Sequence, residues 1–131
     1  MEDLEEFFIR DTYAQASGIR LVSVSPGKAV VRMDISELHR NSHGTVHGGA
    51  IFTLADTAFA LASNSHGVPA AAINASITYM KAAREGALTA VAEEFARNPR
   101  LATYMVTITD QTQDRVALFQ GMVYRKTKKS D

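Results

Sequence analysis

The chain contains no cysteine, which removes disulfides, thiolate nucleophiles and cysteine-held metal together and fits a reducing compartment. It has no excess of charge of either sign, because Lys+Arg and Asp+Glu number 14 each. Without a basic excess there is no electrostatic footprint for nucleic acid, so any anionic partner has to be held by a local site. No run of about 18 apolar residues free of charge occurs, so no membrane span is expected. The first residues include Glu2, Asp3, Glu5 and Glu6, the opposite of the basic start of a signal peptide. Internal repeats and low-complexity segments are absent as well. These absences predict a cytoplasmic protein with neither nucleic acid nor membrane as a partner.

What is present fits one domain over residues 1–131. Apolar residues make up 46% and charged residues 21%, a balance that can bury a core. Leu4, Phe7, Phe8, Tyr13 and Ala14 recur at near-helical spacing and predict an N-terminal helix within residues 1–17, closed by Gly18. Two strands, 19–25 and 28–36, follow across a Pro26-Gly27 turn. In the second, Ala29, Val31, Met33 and Ile35 alternate with charged positions. Residues 39–49 are polar and contain glycine, which predicts a loop. Then Ile51, Phe52, Leu54, Ala55, Ala58, Phe59, Leu61 and Ala62 run round every side of a helix at about 49–65, and a helix apolar all round is a buried one. Four more strands are expected at about 70–80, 87–97, 101–110 and 115–125, with turn residues at Gly86, Asn98-Pro99 and Asp110 to Asp114. The cationic run from Arg125 to Lys129 reads as a solvated, flexible basic tail over 126–131. The order predicts an α+β domain, one antiparallel sheet wrapped around a central buried helix. A domain this small covers such a helix incompletely, which points to an oligomer.

Asp56 lies in the middle of that helix, between Ala55 and Thr57. An unpaired carboxylate in an apolar setting is costly, and such groups concentrate at functional sites. The plainer alternative is that Asp56 sits on an exposed stripe or caps a neighbouring loop. His47-Gly48-Gly49 enters the same helix. Amides at a helix N-terminus lack internal partners and sit at the positive end of its dipole. Glycines there let a substrate approach, so the Gly48 N–H can polarise a carbonyl and hold an oxyanion. Gly48 and Asp56 are eight residues apart, about 12 Å along one helix, too far to meet at one reacting carbonyl. Two antiparallel helices in a dimer would bring Gly48 of one chain to Asp56 of the other, so the site is expected to be shared. His39, His43 and His47 recur every four residues, but Gly44 favours a loop and no further ligand completes a set. No metal is expected.

The stretch from Asn41 through His47, Gly48 and Gly49 to Asp56, supported by Ile77-Thr78-Tyr79-Met80, closely resembles the phenylacetate-pathway (PaaI-type) hot-dog thioesterases. The resemblance covers about residues 10–125 and implies a hot-dog fold and hydrolysis of an acyl-CoA thioester. Carried over residue by residue, it implies Asp56 as general base or nucleophile and Gly48 as the oxyanion amide. Asn41 and His47 would position water or thioester. It also implies dimers paired into tetramers, with coenzyme A held as part of the substrate and no separate cofactor. Some relatives carry a hydroxyl where this chain has Ala71 to Ile73 or Ala60, which leaves Asn74 and Ser76 as substitutes. Gly49 would lie against the substrate, and Lys81, Arg84, Arg97 and Arg100 are the candidates for the coenzyme A phosphates. An aryl or medium acyl group is expected from the small Ala58, Ala60 and Ala62. Two competing functions are a hydroxyacyl thioester dehydratase, which would use a histidine with a helix acid, and a non-catalytic acyl-CoA sensor.

Overall fold

The computed structural model describes residues 3–126. It begins with two short helices, α1 (Leu4–Ile9) and α2 (Thr12–Ala16), where the apolar spacing predicts one. The break follows from Asp11. Its carboxylate accepts from the Ala14 amide at 3.0 Å, so it caps a new helix instead of continuing the old one. Gly18, with φ of 77°, turns the chain out of α2 as expected.

β1 (Ile19–Ser25) and β2 (Lys28–Asp34) form a hairpin, with Gly27 at a φ of 76°. A short 3-10 turn (Glu37–His39) and a loop then lead to α3 (Gly48–Ser63). The side chains of His47 and Asn64 cap α3 at its two ends, which sets its limits slightly earlier than 49–65. β3 (Ala70–Tyr79), β4 (Ala87–Arg97), β5 (Leu101–Thr109) and β6 (Arg115–Arg125) complete the chain.

The six strands make one antiparallel sheet in the order β1-β2-β4-β5-β6-β3. Its pleat sends alternate side chains to the two faces. Rows on the inner face run across the strands: Ala29 beside Ala92, Ala92 beside Val106, Val106 beside Phe119 and Phe119 beside Ile77. The next row carries Val31, Ala90, Ile108, Ala117 and finally Tyr79 on the edge strand. These residues pack against Leu54, Ala55, Ala58, Leu61 and Ala62 of α3, all buried. The architecture is the expected hot-dog: a sheet curved around one long helix.

α3 departs from the expectation at one stripe. Gly49, Thr53, Asp56 and Ala60, spaced at four, three and four residues, are not buried. This chain leaves that face of the helix uncovered. β3 is likewise an open edge, with Ile73 57% and Tyr79 49% exposed.

At the other end of α3, His66 Nε2 lies 2.7 Å from Glu94 Oε1, which also accepts from the Tyr104 hydroxyl at 3.2 Å and pairs with Arg97 at 3.1 Å. Burial pushes the Glu94 carboxyl up, but hydrogen bonds from His66, Tyr104 and Arg97 outweigh it and hold the group below its ordinary value. Arg125, expected to open a solvated tail, is buried at the end of β6 and donates to the Asn98 carbonyl at 3.0 Å. The remainder of the expected basic tail, apart from Lys126, lies outside the described residues. Among the described residues no helix is long and apolar enough to cross a membrane.

Gly121 makes the packing testable. A Cβ there would stand 2.6 Å from Cζ of Phe59, a ring already wedged against Phe119 and Tyr104. Gly121→Ala therefore forces a buried ring to move, at a cost of about 1–3 kcal/mol. We expect a melting temperature lower by roughly 5–10 °C; a melt indistinguishable from the parent would show that the ring has room.

Candidate active site

The loop before α3 is held by its own polar atoms. Asn41 Oδ1 accepts from the amides of His43 and Thr45 at 2.9 and 3.1 Å, and its Nδ2 donates to Thr45 Oγ1 at 2.9 Å. The structure thus gives Asn41 a scaffold for residues 41–45. His39 is buried, with Nδ1 accepting from the Ser36 amide and Nε2 donating to the Ser17 carbonyl at 2.7 Å. The Arg40 guanidinium donates to the carbonyls of Gly44 and Arg84, tying this loop to the β3–β4 connection. His43 is exposed. No three metal-ligating side chains come together among the described residues.

At the helix entry, His47 Nδ1 accepts from the Gly49 amide at 2.8 Å. The His47 carbonyl accepts from the amides of Ala50 and Ile51 at 2.9 and 3.2 Å. Of the first-turn amides this leaves the Gly48 N–H without an acceptor among the described residues. It sits at the positive end of a 16-residue helix. Beside it is a cavity of about 440 Å³ bounded by Val46, Ile51, Tyr79, Met80, Lys81 and Ala83.

Asp56 lies two turns further along, half-buried on the uncovered stripe, and no donor among the described residues reaches its carboxylate. It caps no loop. Burial, and then the negative charge of Asp11, raise its pKa above the ordinary carboxylate value. A carboxylate short of hydrogen bonds and partly stripped of water is a stronger base than one in solution.

Asn74 and Ser76 are not on this side of the sheet. Their register partners are Met122 and Gln120, and together with Phe95, Thr103 and Met105 they line a cavity of about 410 Å³ on the outer face. Alternation explains this, since Ile77 and Tyr79 point inward and their neighbours must point out. Neither stands in for a hydroxyl beside Asp56 within one chain. The basic candidates also divide. Lys81 and Arg84 lie before β4, while Arg97 and Arg100 lie at its far end, about 33 Å away for ten residues of strand. Lys81 is held by Asp110 and Asp114 at 2.8 and 2.7 Å, and Arg97 by Glu94. Two carboxylates around Lys81 leave its neighbourhood net negative, a poor seat for a phosphate. Arg84 and Arg100 are exposed.

Three residues that sequence reasoning did not assign to the site now border it: Arg40, Asp11 and Tyr79. The Tyr79 hydroxyl donates to the Gly48 carbonyl at 2.9 Å, across 31 residues of chain. Only the alternation that turns Tyr79 inward is visible in the sequence.

Comparison with known proteins agrees with the fold. The profile of the family described as thioesterase superfamily matches residues 43–117. The acyl-coenzyme A thioesterase PaaI of Escherichia coli is 37% identical over 125 residues, spanning 95% of this chain and 89% of that one. The solved structure of the E. coli PaaI protein, from the phenylacetic acid degradation operon, superposes with a TM-score of 0.90, covering 94% of this chain and 90% of that chain. The TT0310 protein of Thermus thermophilus, 41% identical, gives a TM-score of 0.85 and covers 89% and 99% of the two chains.

Proposed function

The chain belongs to the thioesterase superfamily, and from that premise we propose that it hydrolyses an aryl- or medium-chain acyl-CoA thioester to the free acid and coenzyme A. The observation that carries the reading is the pairing on α3 of an amide without an acceptor, Gly48, and a carboxylate without a donor, Asp56. Each lacks what a thioester and its attacking water would supply. The carbonyl oxygen accepts from the Gly48 N–H, and water gives a proton to Asp56 as it attacks the carbonyl carbon. The tetrahedral intermediate then collapses, its C–S bond breaks, and the sulfur leaves as a thiolate that takes the proton from Asp56. Direct attack by Asp56, through a mixed anhydride, uses the same groups; label left in Asp56 after a single turnover in oxygen-18 water would mark that route, with water opening the anhydride at the Asp56 carbonyl.

The two groups lie about 12 Å apart on one helix, so the proposal includes a homodimer in which each site draws Gly48 from one chain and Asp56 from its partner. The uncovered stripe on α3 and the open β3 edge support that assembly, because such surfaces favour pairing. A pairing of dimers into tetramers remains part of the proposal, as does a cytoplasmic location. The operon of the E. coli relative supports a place in phenylacetate degradation.

Thiol release from a panel of aryl and straight-chain acyl-CoAs tests the function. We expect turnover on at least one class, with the preferred acyl group marked by the highest kcat/KM. Tight acyl-CoA binding without thiol release would reject hydrolysis in favour of a sensor.

A further inference from the structure

Both peptide planes that flank Gly48 are pinned. The plane before it carries the His47 carbonyl, which accepts from the Ala50 and Ile51 amides at 2.9 and 3.2 Å. The plane after it is gripped at both ends. The Tyr79 hydroxyl donates to its carbonyl at 2.9 Å, and its N–H, that of Gly49, donates to His47 Nδ1 at 2.8 Å. Hydrogen bonds in such a chain polarise one another, because a carbonyl that accepts makes its own N–H a better donor. Because Nδ1 accepts, neutral His47 carries its hydrogen on Nε2, and that ring is exposed.

Glycines at 48 and 49 leave the backbone free to take many conformations, which is a liability where one N–H has to point at a reacting oxygen. Tyr79 removes that freedom. Its ring lies so close to Gly48 that an added Cβ would stand 3.1 Å from both Cζ and the hydroxyl oxygen. The strand register also places Tyr79 beside Ala117 on the inner face, so the ring is directed at α3 by the pleat itself. A half-exposed tyrosine at the end of an edge strand has open solvent available to its hydroxyl, yet the bond goes to the peptide next to the first-turn amide that lacks an acceptor among the described residues.

We infer that Tyr79 is a positioning residue for thioester hydrolysis: its hydroxyl grips the peptide plane after Gly48 while the His47 carbonyl bonds grip the plane before it, so that together they fix the backbone turn at Gly48 that presents its N–H, and the same grip holds His47 in the tautomer with hydrogen on Nε2. The inference rests on the thioesterase reading above. Tyr79 itself needs no contact with the reacting atoms; it acts through the backbone.

Tyr79→Phe keeps the ring against Gly48 and removes only the hydroxyl. We expect kcat to fall on the order of tenfold, as a misaimed donor loses part of its stabilisation of the transition state. KM should stay within about twofold, since the ground-state thioester needs the oxyanion donor less. Amide hydrogen exchange at Gly49 should quicken, and the His47 ring nitrogen signals should show mixed tautomers. Tyr124→Phe, which removes another half-exposed hydroxyl from the same sheet, should change none of these. Parental kcat in Tyr79→Phe would overturn the positioning role. So would a parallel fall in kcat and in the fraction of folded protein, which is the mark of a merely structural residue. A parent that releases no thiol from any acyl-CoA would overturn the thioesterase reading and the positioning role of Tyr79 with it. Unchanged Gly49 exchange in Tyr79→Phe would overturn the clamp itself, so the two failures are told apart.

Discussion

Asp56→Asn is expected to lower kcat about a thousandfold, within the range that a general base contributes, while leaving the fold at least as stable. The two halves of that statement come from one cause. Burial on α3, and then the charge of Asp11, raise the Asp56 pKa. A carboxyl whose folded pKa lies above its unfolded value is favoured in its protonated form by folding. Its contribution to stability is therefore greatest at low pH and declines as pH rises through the folded pKa. Once the pH exceeds the folded pKa the native protein carries the full penalty of an ionised, under-solvated group, and the asparagine removes it. A structural carboxylate would behave in the opposite way, losing stability on neutralisation. The base has to be ionised to accept a proton, so the acid limb of the kcat/KM profile should lie at higher pH than an unperturbed aspartate would place it. Asp11→Asn removes the second of the two causes and should move that limb to lower pH without abolishing turnover. Parental rates in Asp56→Asn would end the assignment of this residue as the catalytic acid-base group.

The sheet was legible because its signals are local. Ala102, Tyr104, Val106 and Ile108 alternate with more exposed neighbours at period two, and Gly86, Asn98 and Asp110 mark turns that fix where strands stop. The N-terminal helix was misjudged because an apolar repeat says nothing of the Asp11 side chain that restarts the helix. Apolar residues all round α3 indicated complete burial, whereas Gly49, Thr53, Asp56 and Ala60 lie open in one chain. That difference is physical: an apolar pattern does not separate what one chain covers from what a partner would cover in the proposed dimer. The proposed pair, Gly48 and Asp56, could be drawn from spacing on a single helix. Tyr79 and Arg40 were not, because their bonds to Gly48 and Arg84 span 31 and 44 residues, and no local pattern encodes such a pairing. The surroundings of the basic candidates were hidden for the same reason. Charge is visible in a sequence, but the carboxylates that neutralise Lys81 and Arg97 appear only once the chain has folded.

Gly48→Pro should remove activity by about 10²–10³-fold, the usual effect of losing one oxyanion donor, with the helix intact. Proline suits this position. Gly48 is the first residue of α3, where the amide makes no helical bond, and His47 has the extended φ of −62° and ψ of 135° that a following proline requires. The added ring carbons meet Tyr79, but Gly48→Ala presents the same Cβ, 3.1 Å from that ring, and retains the N–H. The comparison between the two variants thus isolates the amide hydrogen from the crowding. Alanine is expected to cost several-fold and proline far more; equal losses would assign the effect to Tyr79 contact alone. The same variant asks where each site is assembled. Asp56→Asn and Gly48→Pro chains are each nearly inactive as homodimers. Co-expressed, they form mixed dimers in which one site combines both lesions and the other combines the intact Asp56 of one chain with the intact Gly48 of its partner. Random pairing around a twofold axis makes half of the dimers mixed, so activity should return to about a quarter of the parent. A site built within one chain permits no such recovery, because every copy would carry one lesion or the other. Recovery to that level would fix the helix pair, rather than the single helix, as the catalytic unit.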